Sequence, residues 1–294
     1  MAGTPTTKKD PLAAMRSDAG TLDFDRVHLV HHEQLPMWPE DDRAFPNSMA
    51  RSAIFAAVTG PHPREFYKQP KVLSSLSNYV VTYQGAELRQ DDLTVFSTLL
   101  HLARQTKLGH PVRFTAYSML KELGWSINSD EYAHLRECCE RLQFTSLKIT
   151  TNKGAGGYAG SLIAEFHWKD DSGNKLDEWY VVLAPTIAAM FGPETYTLQS
   201  WSVRKKIGGR SPLAQWLHFF LGSHEEPIPI SVGKYHELSG SKSKNLDDFR
   251  RRLKAALQKL IDVGFLKSFR IAEDLVHVEK DPKYRSKGER LKLA

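Results

Sequence analysis

Cysteine is nearly absent from these 294 residues: the two present, Cys138 and Cys139, are adjacent and cannot build a disulfide framework. This scarcity fits a reducing compartment, and the expected location is the cytoplasm. No apolar run approaches the ~20 residues that a membrane-spanning helix needs. The opening stretch MAGTPTTKKDPLAAMRSDAG has no continuous apolar segment of the kind a signal peptide carries, and reads as a flexible tail. The glycine-rich run GAGGYAG, residues 154–160, lacks the Lys-Ser/Thr of a phosphate-binding loop and falls between strand candidates, so it reads as a hairpin turn. No His-x-His pair is present to hold a metal beside a nucleophilic tyrosine. No Ser-His-Asp or paired-carboxylate arrangement stands at recognisable spacing either. His28, His31, His32 and Glu33 cluster without an H-E-x-x-H pattern, and Cys138 and Cys139 read as core positions of a helix. The expectation is a protein that is not an enzyme and uses no cofactor or metal.

Positive charge is present, and it is unevenly placed. The chain carries a net charge of +6. From Tyr196 to Ala294 there are 20 basic and 11 acidic residues, whereas residues 1–195 hold 20 and 23. A basic region beside a slightly acidic one is the footprint of a polyanion binder, either nucleic acid or a membrane surface.

The basic region has a readable pattern. Ile228 to Ser231 is a short strand candidate, and Val232 to Leu238 a short helix. The turn from Ser239 to Asn245 follows, then a long helix from Leu246 to about Val263, which Gly264 ends. Strand candidates at Phe265–Ile271 and Leu275–Val278 close the unit. Helix, turn, helix and β-hairpin in that order describe a winged helix, whose second helix enters the DNA major groove. Leu246, Phe249, Leu253, Ala256, Leu257, Leu260 and Ile261 make one apolar stripe at helical spacing. Arg251, Lys254 and Gln258 make another face, with Arg250 and Arg252 beside them; Asp247 and Asp248 in the first turn suit the helix dipole. The alternative is a merely solvated surface helix. Lys242, Lys244 and Asn245 in the turn favour the DNA-binding reading, and Arg204, Lys205 and Lys206 add a further basic run.

The same pattern occurs earlier. A helix from about Asp91 to Gln105, a strand at Val112–Phe114, a helix capped by Thr115 and ended by Gly124, and a helix from Ser129 to Leu142 follow in turn. Strand candidates lie at Ser146–Thr151, Tyr158–Trp168 and Trp179–Leu183. The segments FTAYSMLKELG and ISVGKYHELSG correspond. The expected fold is α+β: a flexible N-terminal arm over 1–45, a first winged-helix domain over 46–195, a second over 196–280, and a basic tail over 281–294. The junction falls at the breaker Gly192-Pro193. The first copy's second helix nearly balances its charges (Glu131, Arg136, Glu137, Glu140, Arg141), so the second domain is expected to dominate DNA affinity. The first then contacts DNA more weakly or offers its sheet to another protein.

In the arm, Gln34, Leu35, Pro36, Met37 and Trp38 have the composition of a linear docking peptide, with Leu35, Met37 and Trp38 as apolar anchors. The competing reading has Trp38 and Phe45 staple the arm onto the protein's own core.

Several segments together resemble the TrfA replication initiators of broad-host-range bacterial plasmids. They are PNSMARSAIF (46–55), YQGAELRQDD (83–92), FTAYSMLKELGWSIN (114–128), ECCERLQFTSL (137–147), RSPLAQWLHFFLGSHEEPIPI (210–230) and DLVH (274–277). The resemblance runs from about Gln34 to Lys280. It implies two winged helices that bind repeated sites, iterons, at a plasmid origin and help open the adjacent AT-rich DNA, with single-stranded origin DNA as a further partner. It also implies recruitment of the host initiator DnaA and the replicative helicase, and copy-number control by pairing of iteron-bound complexes. Monomers would be the active form and dimers inactive. A sliding-clamp peptide of the type Gln-Leu-x-Leu-Phe is implied too; Gln34 and Leu35 match it, while Pro36, Met37 and Trp38 depart from it. The alternative function is a winged-helix repressor acting at a plasmid or phage origin, and an adaptor built on winged helices fits the first copy only.

Overall fold

The computed structural model describes residues 34–58, 61–76, 79–151, 157–169, 173–192 and 195–284. The chain opens with strand β1 (Asp42–Pro46), a one-turn helix α1 (Asn47–Ala50), and strands β2 (Phe55–Ala56), β3 (Phe66–Leu73), β4 (Tyr79–Ala86) and β5 (Leu88–Arg89). Next come helix α2 (Gln90–Ala103), strand β6 (Pro111–Phe114), and helices α3 (Ala116–Leu123) and α4 (Ser129–Gln143). Strands β7 (Ser146–Thr151), β8 (Gly157–Gly160), β9 (Glu165–Lys169), β10 (Lys175–Val182) and β11 (Tyr196–Ser200) follow. The last part holds helices α5 (Trp201–Ile207) and α6 (Pro212–Gly222), strand β12 (Ile230–Ser231), helices α7 (Val232–Leu238) and α8 (Leu246–Asp262), and strands β13 (Leu266–Ala272) and β14 (Leu275–Lys280).

The repeat is a repeat of topology. The order α2-β6-α3-α4-β9-β10 returns as α6-β12-α7-α8-β13-β14, and the sheets are ordered β6-β10-β9 and β12-β14-β13. These are two winged helices in tandem. Local chemistry fixes the corresponding ends alike. Thr115 Oγ1 accepts from Ser118 N at 3.0 Å, and Ser231 Oγ from Lys234 N at 3.1 Å. Each hydroxyl satisfies an N–H that the first helical turn leaves without a partner. Asn128 and Asn245 cap α4 and α8, accepting from Glu131 N and Asp247 N. Gly124 closes α3 in the left-handed region at φ 71°, where a side chain would be strained.

The first copy has an addition. Strands β7 and β8 leave the wing and join β3 and β4 in a separate sheet ordered β3-β4-β7-β8. The single strand expected over Tyr158–Trp168 is therefore two. It breaks because Leu162 and Ile163 turn fully into the core, where Ile163 N bonds Leu142 O at 3.3 Å.

Residues 34–45 are not a flexible arm. β1 pairs antiparallel with β11, Asp42 against Ser200 through Pro46 against Tyr196, and every β1 residue is buried. Phe45 sits edge-on to Phe219 at 5.1 Å and also meets Phe55 and Phe96. The same pairing moves the junction between the two copies. Tyr196, Leu198 and Trp201 belong to the first core, and the second begins at Val203. Ala57 and Leu76, from the N-terminal part, pack in the second core. The two copies are thus interleaved, with polar ties across them. Arg204 on α5 reaches Gln90 O at 2.9 Å and Thr94 Oγ1 at 2.7 Å on α2, and Arg51 donates to Ser223 Oγ at 3.1 Å. The cluster His28, His31, His32 and Glu33, residues 154–156 of the expected turn, and the tail beyond Tyr284 lie outside the described residues, while Gly157–Gly160 of that run form strand β8. Of the tail, Pro282–Tyr284 forms a 3-10 turn with Tyr284 against Phe265.

Candidate nucleic-acid interface

Helix α8 is divided as its sequence demands, except that Leu246, at its first position, is exposed and not part of the buried stripe. Phe249, Leu253, Ala256, Leu257 and Leu260 are buried, while Arg251, Arg252, Lys254 and Gln258 are exposed on the other side. Asp248 organises the start of the basic face: Arg252 Nε lies 2.9 Å from its Oδ2, and Arg251 bonds its Oδ1. Arg251 keeps most of its side chain, 79%, in solvent. Lys254 and Lys244 are exposed, with no ion partner among the described residues. Gln258 donates to Asp262 Oδ1 at 2.9 Å. Surface pairs of this kind are weak, on the order of 0.2–1 kcal/mol, so a phosphate can exchange for them.

Behind the helix stands the β13–β14 hairpin. Its tip, Glu273-Asp274, is left-handed at both positions (φ 49° and 66°), as a two-residue hairpin turn of right-handed twist requires. Asp274 is held from two sides, its carbonyl by Val232 N at 3.0 Å and its carboxylate by Arg250. Arg250 also pairs with Asp247 at 3.3 Å. It braces helix against wing, a different task from the base or phosphate contact expected of it. Arg270 on β13 is exposed on the outer side of the wing. Sequence reading missed it, although its place between the inward-leaning Phe269 and Ile271 marks an outward strand position.

One other expected contact needs correction, and three more have partners within the protein. Arg204 is buried, with 2% exposure, and spends its guanidinium on Gln90, Thr94 and Gln215 O; it ties the two copies together and cannot reach DNA. Burial holds its pKa down to about 9. Asn245 is the α8 cap, its amide oxygen accepting from Asp247 N at 2.7 Å. Lys242 Nζ lies 2.9 Å from Glu87 and 3.1 Å from Glu65, both on the first copy. Lys205 faces Glu122 at 3.5 Å; Lys206 is exposed.

The corresponding helix of the first copy presents another surface. Aligning the buried positions Leu135, Cys138, Cys139 and Leu142 with Leu253, Ala256, Leu257 and Leu260 puts Ala133, His134, Arg136 and Glu140 where α8 has Arg251, Arg252, Lys254 and Gln258. Arg136 pairs with Glu140 at 3.6 Å and lies over the Trp168 ring at 4.7 Å. Between α4 and the β9–β10 hairpin runs a groove of about 570 Å³, lined by Tyr117, Tyr132, Arg136, Trp168 and Trp179.

Inside the first copy, Asp91, His134 and Cys138 bring one ligand atom each within 4.8 Å of one another. A metal would have to displace Arg64, at 2.5 Å from Asp91 Oδ2, and Arg141, which donates to Cys138 Sγ at 3.1 Å. The cluster is built as an ion-pair hub. Burial works against the Asp91 carboxylate, yet the hydrogen bond from His134 and the Arg64 charge bring its pKa below the usual range. The Asp91 hydrogen bond in turn raises that of His134. Burial pushes both thiols up.

The expected docking peptide folds inward. Gln34 Nε2 donates to Arg104 O at 2.8 Å, and Leu35 and Trp38 are buried. Trp38 stacks on Phe191 at 6.2 Å and donates from Nε1 to His101 Nδ1 at 3.0 Å. Met37 alone of the apolar anchors is exposed. Two anchors three residues apart, Leu35 and Trp38, are thereby committed to the protein's own core, which favours the stapled segment over a presented clamp ligand. His101 Nδ1 also faces Arg43 Nη1 at 3.1 Å, and Nε2 meets Glu40 Oε2 at 2.8 Å. Two donors at Nδ1 and an acceptor at Nε2 assign the neutral, Nε2-protonated tautomer. Burial, with the Arg43 charge, brings its pKa down to about 4.

Among the described residues, no helix is long and apolar enough to cross a membrane. The model of the TrfA protein family matches residues 25–280. The plasmid replication initiator protein TrfA of Escherichia coli is 30% identical over 291 residues, covering 95% of this chain and 75% of that protein. Among solved structures, domains 2 and 3 of RctB superpose with a TM-score of 0.53 at 14% identity, covering 81% of this chain and 99% of that one, a likeness of fold. The family match extends across both winged helices, and the chain belongs to the TrfA family of plasmid replication initiators.

Proposed function

We propose that this initiator binds iteron repeats at its plasmid origin, with α8 in the major groove and Arg251, Arg252, Lys254 and Gln258 as the reading and phosphate-binding set. The observation that carries the reading is the exposed cationic face of α8 over a fully buried apolar one. Base-edge contacts discriminate sequences; the lysines and arginines that reach phosphates add affinity and salt dependence. Opening of adjacent AT-rich DNA, recruitment of DnaA and the replicative helicase, and copy control by pairing of bound complexes belong to the same reading through the family. For single-stranded origin DNA, the α4 groove offers aromatic faces beside Arg136, the combination on which unpaired bases stack. Footprinting on the parent plasmid's origin, with Arg251→Ala and Lys254→Ala proteins as controls, tests the core of the reading. A repeat-free footprint, or one unchanged by the substitutions, overturns it. Origin melting in a purified system separates an initiator from a repressor.

The family's inactive dimer has a candidate surface. Edge strand β3 exposes Phe66 and Val72, with Val80 beside them on β4. An exposed apolar edge is a template for pairing with another chain. Light scattering of free and iteron-bound protein tests it: two protomers on a single iteron count against monomeric binding.

A further inference from the structure

Lys242 stands in the turn that leads into α8, three residues before the Asn245 cap. Its ammonium is paired within the protein. It lies between Glu87 Oε1 at 2.9 Å and Glu65 Oε1 at 3.1 Å, and its side chain is 20% exposed. Both carboxylates come from the first copy. Glu87 is 4% exposed and anchored by Arg89 Nη2 at 2.7 Å; Glu65 is half in water. The N-terminal segment that packs into the second core holds the turn at two further points: Ala57 N donates to Ser239 O at 2.7 Å, and a Cβ added at Gly240 would come within 3.0 Å of Ala56. The mouth of the reading helix is therefore held by these backbone contacts and by one cation shared between two acids of the first copy.

We propose that Glu65 and Glu87 are positioning residues that withhold Lys242 from DNA, and that a phosphate entering beside the α8 N-terminus takes Lys242 over and loosens the contact between the two winged helices. This rests on the reading of α8 as the DNA helix. A turn preceding a recognition helix lies close to the DNA backbone. A phosphate is a charge-assisted partner equal in kind to a carboxylate, so the exchange preserves the number of ion pairs while moving one from inside the protein to the complex. The arrangement makes DNA binding by the second copy and docking of the first compete for one ammonium.

The experiment is a double-mutant cycle on iteron DNA over a salt series, using the full chain. Glu65→Gln, at an exposed site, and Glu65→Gln/Glu87→Gln are each combined with Lys242→Met. The expected result is tighter binding on removal of the acids with the salt slope little changed, and a log–log slope shallower by about 0.9 in the Lys242→Met proteins, one phosphate fewer. Lys242→Met should abolish that gain. A gain that survives Lys242→Met is plain through-space repulsion and overturns the proposal, as does no gain. Amide exchange at Ala57 gives the independent readout, because its N–H bonds Ser239 O across the contact: it should speed up on DNA binding, and unchanged protection overturns the release. Lys254→Ala in the same series keeps the two readings apart. If it weakens binding while the acid variants do nothing, the DNA helix stands and the withholding of Lys242 falls.

Discussion

The two winged helices share a topology and differ in what they expose. Each buries four matching residues on its second helix, Leu135, Cys138, Cys139 and Leu142 in one, Leu253, Ala256, Leu257 and Leu260 in the other. On the solvent side, α8 places three cations where α4 places an alanine, a histidine paired to Asp91, and an arginine occupied with Glu140 and Trp168. Burial sets the fold of each copy; the outward positions are free to diverge, and there the two have taken different chemistry. The first copy also spends charge internally. Asp92, with no exposed side-chain surface, is held by Arg64 at 2.7 Å and Arg141 at 2.9 Å.

The strongest test of this contrast is charge removal on each helix. Arg251→Ala/Arg252→Ala/Lys254→Ala should weaken specific binding by two to three orders of magnitude, since contacts of this kind contribute ~1–3 kcal/mol each. Arg136→Ala on α4 should change duplex affinity less than about threefold, the scale of a weak surface contact. Titrations of both proteins on one iteron at fixed salt decide it. Equal losses would make the two heads equivalent readers.

Much of this contrast was legible in the sequence. The α8 stripe, its Asn245 start and the FTAYSMLKELG/ISVGKYHELSG correspondence are local patterns, and local patterns fix helices and caps. What was not legible is tertiary. Nothing near Asp42–Pro46 marks Tyr196–Ser200 as its strand partner, so a packed strand read as an arm. The run Arg204-Lys205-Lys206 looked uniformly basic, yet helical geometry turns Arg204 alone toward α2. Lys242 looked like a DNA contact because the acids that hold it lie more than 150 residues away in sequence. The same holds for the docking peptide: its apolar anchors serve a groove, and here the groove is the protein's own.

Arg204 offers the next largest effect, now on the join between the copies. Arg204→Ala removes the charged donor to Gln90 O, Thr94 Oγ1 and Gln215 O, leaving Gln90 O with the bond from Thr94 Oγ1. Unsatisfied buried groups cost ~1–3 kcal/mol each, so a loss on the order of 3 kcal/mol is expected. Urea unfolding measures it, and two separated transitions would show that this contact makes the copies melt as one. A loss below about 1 kcal/mol would mean that the guanidinium is not what joins them.

His101 bears on the first copy alone. Its folded pKa, about 4, lies below that of a free histidine, so the folded protein binds fewer protons than the unfolded chain between the two values. The stability it confers is present above about pH 6.5 and is lost as pH falls through about 4. Protonation would put a positive charge at Nδ1 beside Arg43 and remove the acceptor of Trp38 Nε1. Amide exchange around Leu35–Trp38 should therefore rise between pH 6.5 and 4 faster than around Phe249–Leu260. His101→Gln should flatten the difference, and a wild-type profile identical in the two regions removes His101 from the control of this segment.

The smallest expected effect compares like with like. Asn128 and Asn245 both cap their helices, accepting from the third residue of α4 and the second of α8, so Asn128→Ala and Asn245→Ala should each cost roughly 1 kcal/mol of stability, within the ~0.5–2 kcal/mol that lost caps typically cost. Their consequences for DNA should differ. Loosening the first turn of α8 disturbs Asp248, and with it the anchoring of Arg251 and Arg252. Loosening α4 disturbs Glu131 and Tyr132, beside the aromatic groove. Iteron affinity should thus fall severalfold in Asn245→Ala and stay within error in Asn128→Ala, at matched loss of stability. Matching the losses matters, because a general destabilisation lowers binding in both. If both variants lose affinity equally, the cap acts only through global stability and the contrast between the two helices does not extend to their first turns.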